Sequence, residues 1–209
     1  VFVGFRLARG GAQEHYGVQA DFVTYGKTLG GGLPVGVVCG RAAWMQRYRA
    51  KRPADICFAR GTFNAHPYVM GAMNAFLHYL DTPEAHALYE GVDERWNRER
   101  AAFNQAFETA GVPVRIQNLS SIWTVTYTQP GRYHWMYQFY CRQQGLYMSW
   151  VGSGRMMFSL DASDSDVRQV RDRMVAAALA MQADGWWDLP SGTTLKTLRR
   201  RVVREMLAA

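Results

Sequence analysis

Residues Asp21–Gly36 read DFVTYGKTLGGGLPVG, and no other stretch restricts the fold and chemistry of the chain so tightly. A short run, Asp21-Phe22-Val23-Thr24-Tyr25, ends at Gly26-Lys27. Three glycines stand at 30–32, and after Pro34 a second apolar run, Val35-Gly36-Val37-Val38-Cys39, begins. Short apolar runs bounded by Gly and Pro are the pattern of buried strands. A lysine is therefore expected at a strand end, beside a loop whose backbone can approach other groups closely. Gly26-Lys27-Thr28 copies the end of a phosphate-binding P-loop, but that motif requires glycine where Asp21 stands, and here the glycines follow the lysine. The P-loop is rejected. Two readings stay open on these residues alone. One is a surface lysine in a flexible turn. The other is an amine pinned at a rigid strand end beside a cofactor, partly desolvated so that its neutral, Schiff-base-forming state is accessible.

Two further segments bear on that choice. The chain opens Val1-Phe2-Val3-Gly4-Phe5-Arg6, and Gly61-Thr62-Phe63-Asn64 precedes Pro67. Together with Tyr25-Gly26-Lys27 and Thr28–Gly36, in these spacings, they resemble the class III aminotransferases, with the closest likeness to the branch containing glutamate-1-semialdehyde aminomutase. The likeness covers about residues 1–185. It is specific through residue 80 and architectural beyond.

The resemblance implies a fold and a chemistry. The fold is α/β: the C-terminal part of a fold type I pyridoxal-phosphate (PLP) transferase large domain, then a small α+β domain. Lys27 would form the Schiff base with pyridoxal 5'-phosphate, and Gly61 and Thr62 would meet the cofactor phosphate, Thr62 from the neighbouring subunit of a homodimer with a shared active site. The carboxylate that pairs with the pyridine nitrogen would lie two residues before Val1. The function implied is amino-group transfer, as an aminotransferase or aminomutase, between a small-molecule amino donor and a carbonyl acceptor. A PLP racemase or decarboxylase stays open, since fold and lysine do not fix which bond breaks. So does a non-catalytic dimerisation or docking remnant. Asn64-Ala65-His66-Pro67 departs from the aminomutase pattern, in which Gly-Asn-Pro follows the threonine closely; the departure bears on substrate preference more than on cofactor use. His66 is read as structural, with a pocket role as the alternative. Arg155 is the candidate contact for a substrate carboxylate, through its planar fork, with Trp150 and Ser159 on the same proposed strands.

Composition narrows the setting. With 48% hydrophobic and 20% charged residues, the chain reads as globular. No apolar run approaches the ~18 residues of a membrane span, so no membrane is expected. There is no signal-peptide pattern; the start inside an apolar segment without Met reads as a fragment, expected to be inactive by itself. Three widely spaced cysteines, Cys39, Cys57 and Cys141, form neither metal-ligand spacing nor a disulfide framework. No metal, a reducing cytoplasmic setting and buried inert thiols are expected. Of the net charge of +7, residues 195–209 carry +4, so basic character sits mostly in the tail and no nucleic-acid partner is expected.

Four regions are expected: 1–85, the C-terminal part of the PLP-binding large domain; 86–110, a connecting helix; 111–187, the small α+β domain; and 188–209, a basic helical tail. Residues 1–5 read as extended. Met70, Met73, Leu77 and Leu80 recur at helical spacing after Pro67. Thr82-Pro83-Glu84 starts a helix expected to run to about Ala110. Val114–Gln117 and Ile122–Thr128 read as strands, and 133–144 as an aromatic-rich packed helix. Leu146–Val151 and Arg155–Leu160 read as a hairpin through Gly152-Ser153-Gly154. Ser163 with Asp166 resembles a capping box before a last amphipathic helix. The tail reads as a terminal helix capping the small domain, with docking to another domain or to a membrane surface as alternatives.

Overall fold

A computed structural model describes residues 1–46, 48–56, 61–148 and 154–208. The chain divides into two compact units, Val1–Glu90 and Gly91–Ala209.

In the first unit, α1 (Ala12–Tyr16) precedes β1 (Phe22–Gly26), which pairs antiparallel with β2 (Gly36–Gly40) from Phe22↔Gly40 to Gly26↔Gly36. The short α2 (Ala42–Met45) leads to a second hairpin, β3 (Tyr48–Arg49) with β4 (Arg52–Ile56). The helix α3 (Pro67–Leu80) follows, then α4 (Pro83–Ala87), whose N-cap Thr82 accepts from the Ala85 N–H. Phe5, Leu29 and Leu80 form the core, with Tyr25, Val35, Val37, Met73 and Phe76 packed around them. Phe5 stacks on Tyr25 with ring centres 5.3 Å apart and meets the edge of Phe76, while the Tyr89 hydroxyl donates to the Phe5 carbonyl at 2.6 Å. Residues 1–5 form no strand; the Val1 amino group donates to Thr24 O, but a turn follows at once. Of the expected α3 stripe, Met73 and Leu80 pack inward, while Met70 and Leu77 remain exposed.

The helix expected from Thr82 to about Ala110 is two helices. Gly91 stands in the left-handed region at φ 59°, which interrupts the i→i−4 ladder, and α5 (Val92–Thr109) starts after it. In the second unit, α5 packs on a three-stranded antiparallel sheet of order β5 (Val114–Leu119), β6 (Ile122–Tyr127), β7 (Arg155–Met157). α6 (Tyr137–Gln143), preceded by a 3₁₀ turn over His134–Met136, packs on α7 (Asp164–Ala183). The expected alternation of β6 holds: Trp123 and Val125 are buried. Trp123 lies edge-on to Trp96, Phe103 and Phe158. On α5, the Asn104 amide accepts from the Ile116 N–H at 2.8 Å and donates to its carbonyl at 3.1 Å, satisfying backbone on the sheet-edge strand β5. The expected hairpin at 146–160 falls partly on residues 149–153, outside the described set. Among the described residues, Leu146–Met148 is not a strand and β7 pairs with β6.

The thiols were expected to be buried, and this holds for Cys141 but not for Cys39. Burial pushes the Cys141 thiol up to about 12, which keeps it protonated and inert; Cys39 is exposed, and Cys57 lies outside the described residues. The tail forms α8 (Leu195–Ala208). Its Leu195, Val203, Met206 and Leu207 are exposed, so it does not cap the domain by burying its apolar residues; Arg132 instead grips the Glu205 carboxylate. No helix among the described residues is long and apolar enough to cross a membrane.

Two outcomes test this packing. Ser163 accepts from the Asp166 N–H while the Asp166 carboxylate accepts from the Ser163 N–H, completing the capping box of α7. Ser163→Ala is expected to cost about 1 kcal/mol in urea unfolding, the usual value for a lost N-cap. His134 stacks on Tyr127 with centres 3.9 Å apart, and burial lowers its pKa from 6.5. The folded state therefore holds His134 neutral where the unfolded chain protonates it. Stability is full above pH 6.5 and declines as pH falls below it, until folded His134 itself takes a proton. His134→Gln is expected to flatten that part of the pH profile.

Candidate active site

The connection between β1 and β2 carries the lysine. β1 ends at Gly26, and Lys27–Gly30 forms one 3₁₀ turn. The turn is short because Gly31 adopts φ 56° and its N–H closes back on Thr28 O at 3.0 Å. Leu29 is 4% exposed and packs with Phe5 and Leu80, so the middle of the turn is nailed into the core. Lys27, two residues earlier, is exposed. Its backbone lies at φ 52°, a conformation that costs a non-glycine residue about 1–2 kcal/mol. A flexible surface turn would relax to negative φ. Such outliers persist where the surroundings over-determine them, which is the state required of a pinned nucleophile.

Gly61 and Thr62 open the turn that enters α3, and both are exposed. The Asn64 N–H donates to Gly61 O at 3.1 Å, Ala65 turns at φ 54°, and Pro67 takes the first helical position, where its missing N–H costs nothing. His66 is the residue before the helix. It makes no cap bond, its ring lies 5.4 Å from that of Tyr68, and its Nδ1 is buried without a partner. Lys27 and Thr62 belong to the same unit; among the described residues, neither side chain makes a hydrogen bond or ion pair. Both are open to a further group.

Arg155 stands in the other unit, exposed, on β7. With Leu146, Tyr147, Met148, Met156 and Phe158 it lines a cleft of about 400 Å³, an apolar space with one guanidinium at its wall. Ser159 lines it too and donates to the Asp161 carboxylate. Trp150 lies outside the described residues. The cleft beside Arg155 was not anticipated from the sequence, because its walls come from separate segments; the methionines at 148, 156 and 157 were the available signal.

The residues suit PLP, which requires an amine held against an aldehyde and donors for a phosphate. Lys27 supplies the amine on a fixed turn. At Gly32 and Gly36 an added Cβ would meet nothing within 4 Å. Thr62 supplies a hydroxyl beside Gly61.

Comparison with known proteins gives the family and the fold. The family model for Aminotransferase class-III matches residues 1–178. Glutamate-1-semialdehyde 2,1-aminomutase of Nitratidesulfovibrio vulgaris (strain DP4) is 31% identical over 184 residues, covering 82% of this chain and 42% of its own length. The same-named protein of Syntrophobacter fumaroxidans is 40% identical over 122 residues, covering 58% and 27%. An omega-transaminase from Sphaerobacter thermophilus superposes with a TM-score of 0.71 at 23% identity, over 86% of this chain and 43% of that one. A beta-phenylalanine aminotransferase from Variovorax paradoxus does so at 0.66 and 28%, over 87% and 43%. The chain thus spans less than half the length of these relatives, and it has the expected fold, part of a fold type I transferase. It belongs to the class III aminotransferase family.

Proposed function

We propose that the chain serves PLP-dependent amino-group transfer, as an aminotransferase or aminomutase, with Lys27 holding the cofactor. The observation that carries this is the lysine locked in a left-handed conformation between β1 and β2, in a chain of this family. PLP, when bound, supplies an electron sink that stabilises negative charge at a substrate carbon. The protein's own residues do the rest. With PLP bound, the Lys27 Nζ would be the group that holds it covalently and, as a free amine, the base placed to move the proton of the substrate Cα. Its fixed backbone keeps that nitrogen within reach, and such positioned transfer is worth roughly 10²–10⁴ in rate.

Thr62 donates its hydroxyl and N–H to the phosphate, with Gly61 allowing close approach. In the homodimer that is part of this reading, it does so across the subunit boundary. As a neutral donor, Thr62 leaves most of the charge compensation to other groups. Arg155 pairs with a substrate carboxylate, which its five-donor guanidinium can grip in bidentate fashion. Partners are a small amino donor and a carbonyl acceptor. A cytoplasmic location is supported by the free thiols Cys39 and Cys141.

In the full-length protein, Lys27→Ala is expected to abolish the visible absorbance of lysine-bound PLP and to lower turnover at least 10²-fold; retention of both would refute the role. Conversion of bound PLP to its pyridoxamine form by an amino donor separates transfer from racemisation or decarboxylation. Thr62→Ala is expected to weaken PLP binding roughly 10-fold, read by absorbance titration, as one hydrogen bond to a charged group is lost. Because position 27 is strained, Lys27→Gly should unfold about 1 kcal/mol later than Lys27→Ala in urea.

A further inference from the structure

Resting on that reading, we infer that Val35 is a positioning residue for Lys27, closing on the glycines at both ends of the lysine turn. Val35 follows Pro34 and immediately precedes β2, half-buried against the core of its unit. Its two approaches differ in kind. A Cβ on Gly26 would lie 2.9 Å from the Val35 carbonyl oxygen, and a Cβ on Gly30 would lie 2.8 Å from the Val35 Cγ1. Real Cβ atoms do not come this near, so both positions exclude a side chain while Val35 is in place.

Lys27 sits between these two contacts. Gly26 has φ 175°, an extended backbone open to any residue, so its lack of a side chain answers to the space Val35 takes and not to its own torsion. Behind Lys27 the Val35 backbone blocks the chain, and beyond Leu29 the Val35 side chain does. The side chain is β-branched and stiff at χ1, which makes it a poor shock absorber and a good stop. Val35 thus fills the space on either side of Lys27 that a side chain at 26 or 30 would need. On this inference it works with the buried Leu29 to set the turn, and with it the direction of the amine.

The arrangement yields a pattern that a general packing role would not. At Gly30 the obstacle is a methyl group, which substitution can remove, leaving the Val35 Cβ at 3.4 Å. At Gly26 the obstacle is main chain, which no substitution at 35 removes.

The test uses the full-length enzyme loaded with PLP. It reads the pH midpoint of the visible lysine–cofactor band, kcat and KM separately, and the thermal midpoint. Val35→Ala should shift the band's midpoint and lower kcat by roughly 10- to 100-fold with KM little changed, as expected when a reacting group is misplaced by an ångström or less. Gly30→Ala should do worse. The double variant Gly30→Ala/Val35→Ala should recover to the level of Val35→Ala, whereas Gly26→Ala/Val35→Ala should stay as impaired as Gly26→Ala. A wild-type midpoint and kcat in Val35→Ala, or a double variant at 30 and 35 no better than Gly30→Ala, would overturn the inference. Should Gly30→Ala not fold, Val35→Ala, which only removes atoms, decides alone. A wild-type enzyme with no such band would instead sink the cofactor assignment.

Discussion

Burial of Leu29 is the constraint on which the lysine site depends. The residue is enclosed by Phe5 and Leu80, and burying a leucine contributes about 1.5–3 kcal/mol. The left-handed backbone at Lys27 costs about 1–2 kcal/mol. The first figure is an upper bound, because the unfolded chain already hides some apolar surface. The two remain of the same order. The buried side chain two residues downstream therefore offsets most of the cost of the conformation at an exposed amine, with Val35 bordering the turn at both ends. Had Lys27 been anchored through its own side chain, the nitrogen would have been spent on the anchor.

The two units solve the problem of burial differently. The second has a dense core in which Trp96, Phe103, Phe107, Ile116, Trp123 and Met174 are completely buried, and its polar termini are met by Asn104, Ser163 and Arg95. The first buries few large side chains and leaves Trp44, Phe63 and Tyr68 more than half exposed. The residues proposed to meet the cofactor lie in this thinner unit; the cleft proposed to meet the substrate lies in the better packed one.

That difference also explains what the sequence made legible. The lysine segment, the α7 capping box and the alternation of β6 were readable because each is set by residues within a few positions of one another. The helical period gave α3 but not its buried face: Met70 and Leu77 have the right spacing yet stay exposed, since period says nothing of what covers a helix. The break at Gly91 was missed because the segments before and after it both have helical composition, and a single glycine interior to such a run is usually tolerated. The β3–β4 hairpin was missed because Tyr48–Ile56 is arginine-rich and contains Pro53, with no alternation to betray it. The pairing of β7 with β6, some thirty residues earlier, was not anticipated because that register is decided by tertiary packing and not by neighbouring residues. Lys27 was found by its neighbours. Its backbone strain, the physical sign that the turn is not a flexible one, belongs to no residue type and could be found only in three dimensions.

The helix α3 borders both turns of the proposed cofactor site within one chain. Its N-terminal end receives the Gly61-Thr62 turn through Pro67, and Ala72, five residues on, lies 3.8 Å from where a Cβ on Gly31 would stand. At 1.5 Å per residue, these points are about 7.5 Å apart on a rigid rod. The two turns thus lean on one rigid element. In the proposed symmetric dimer, each chain gives its lysine to one site and its threonine to the other.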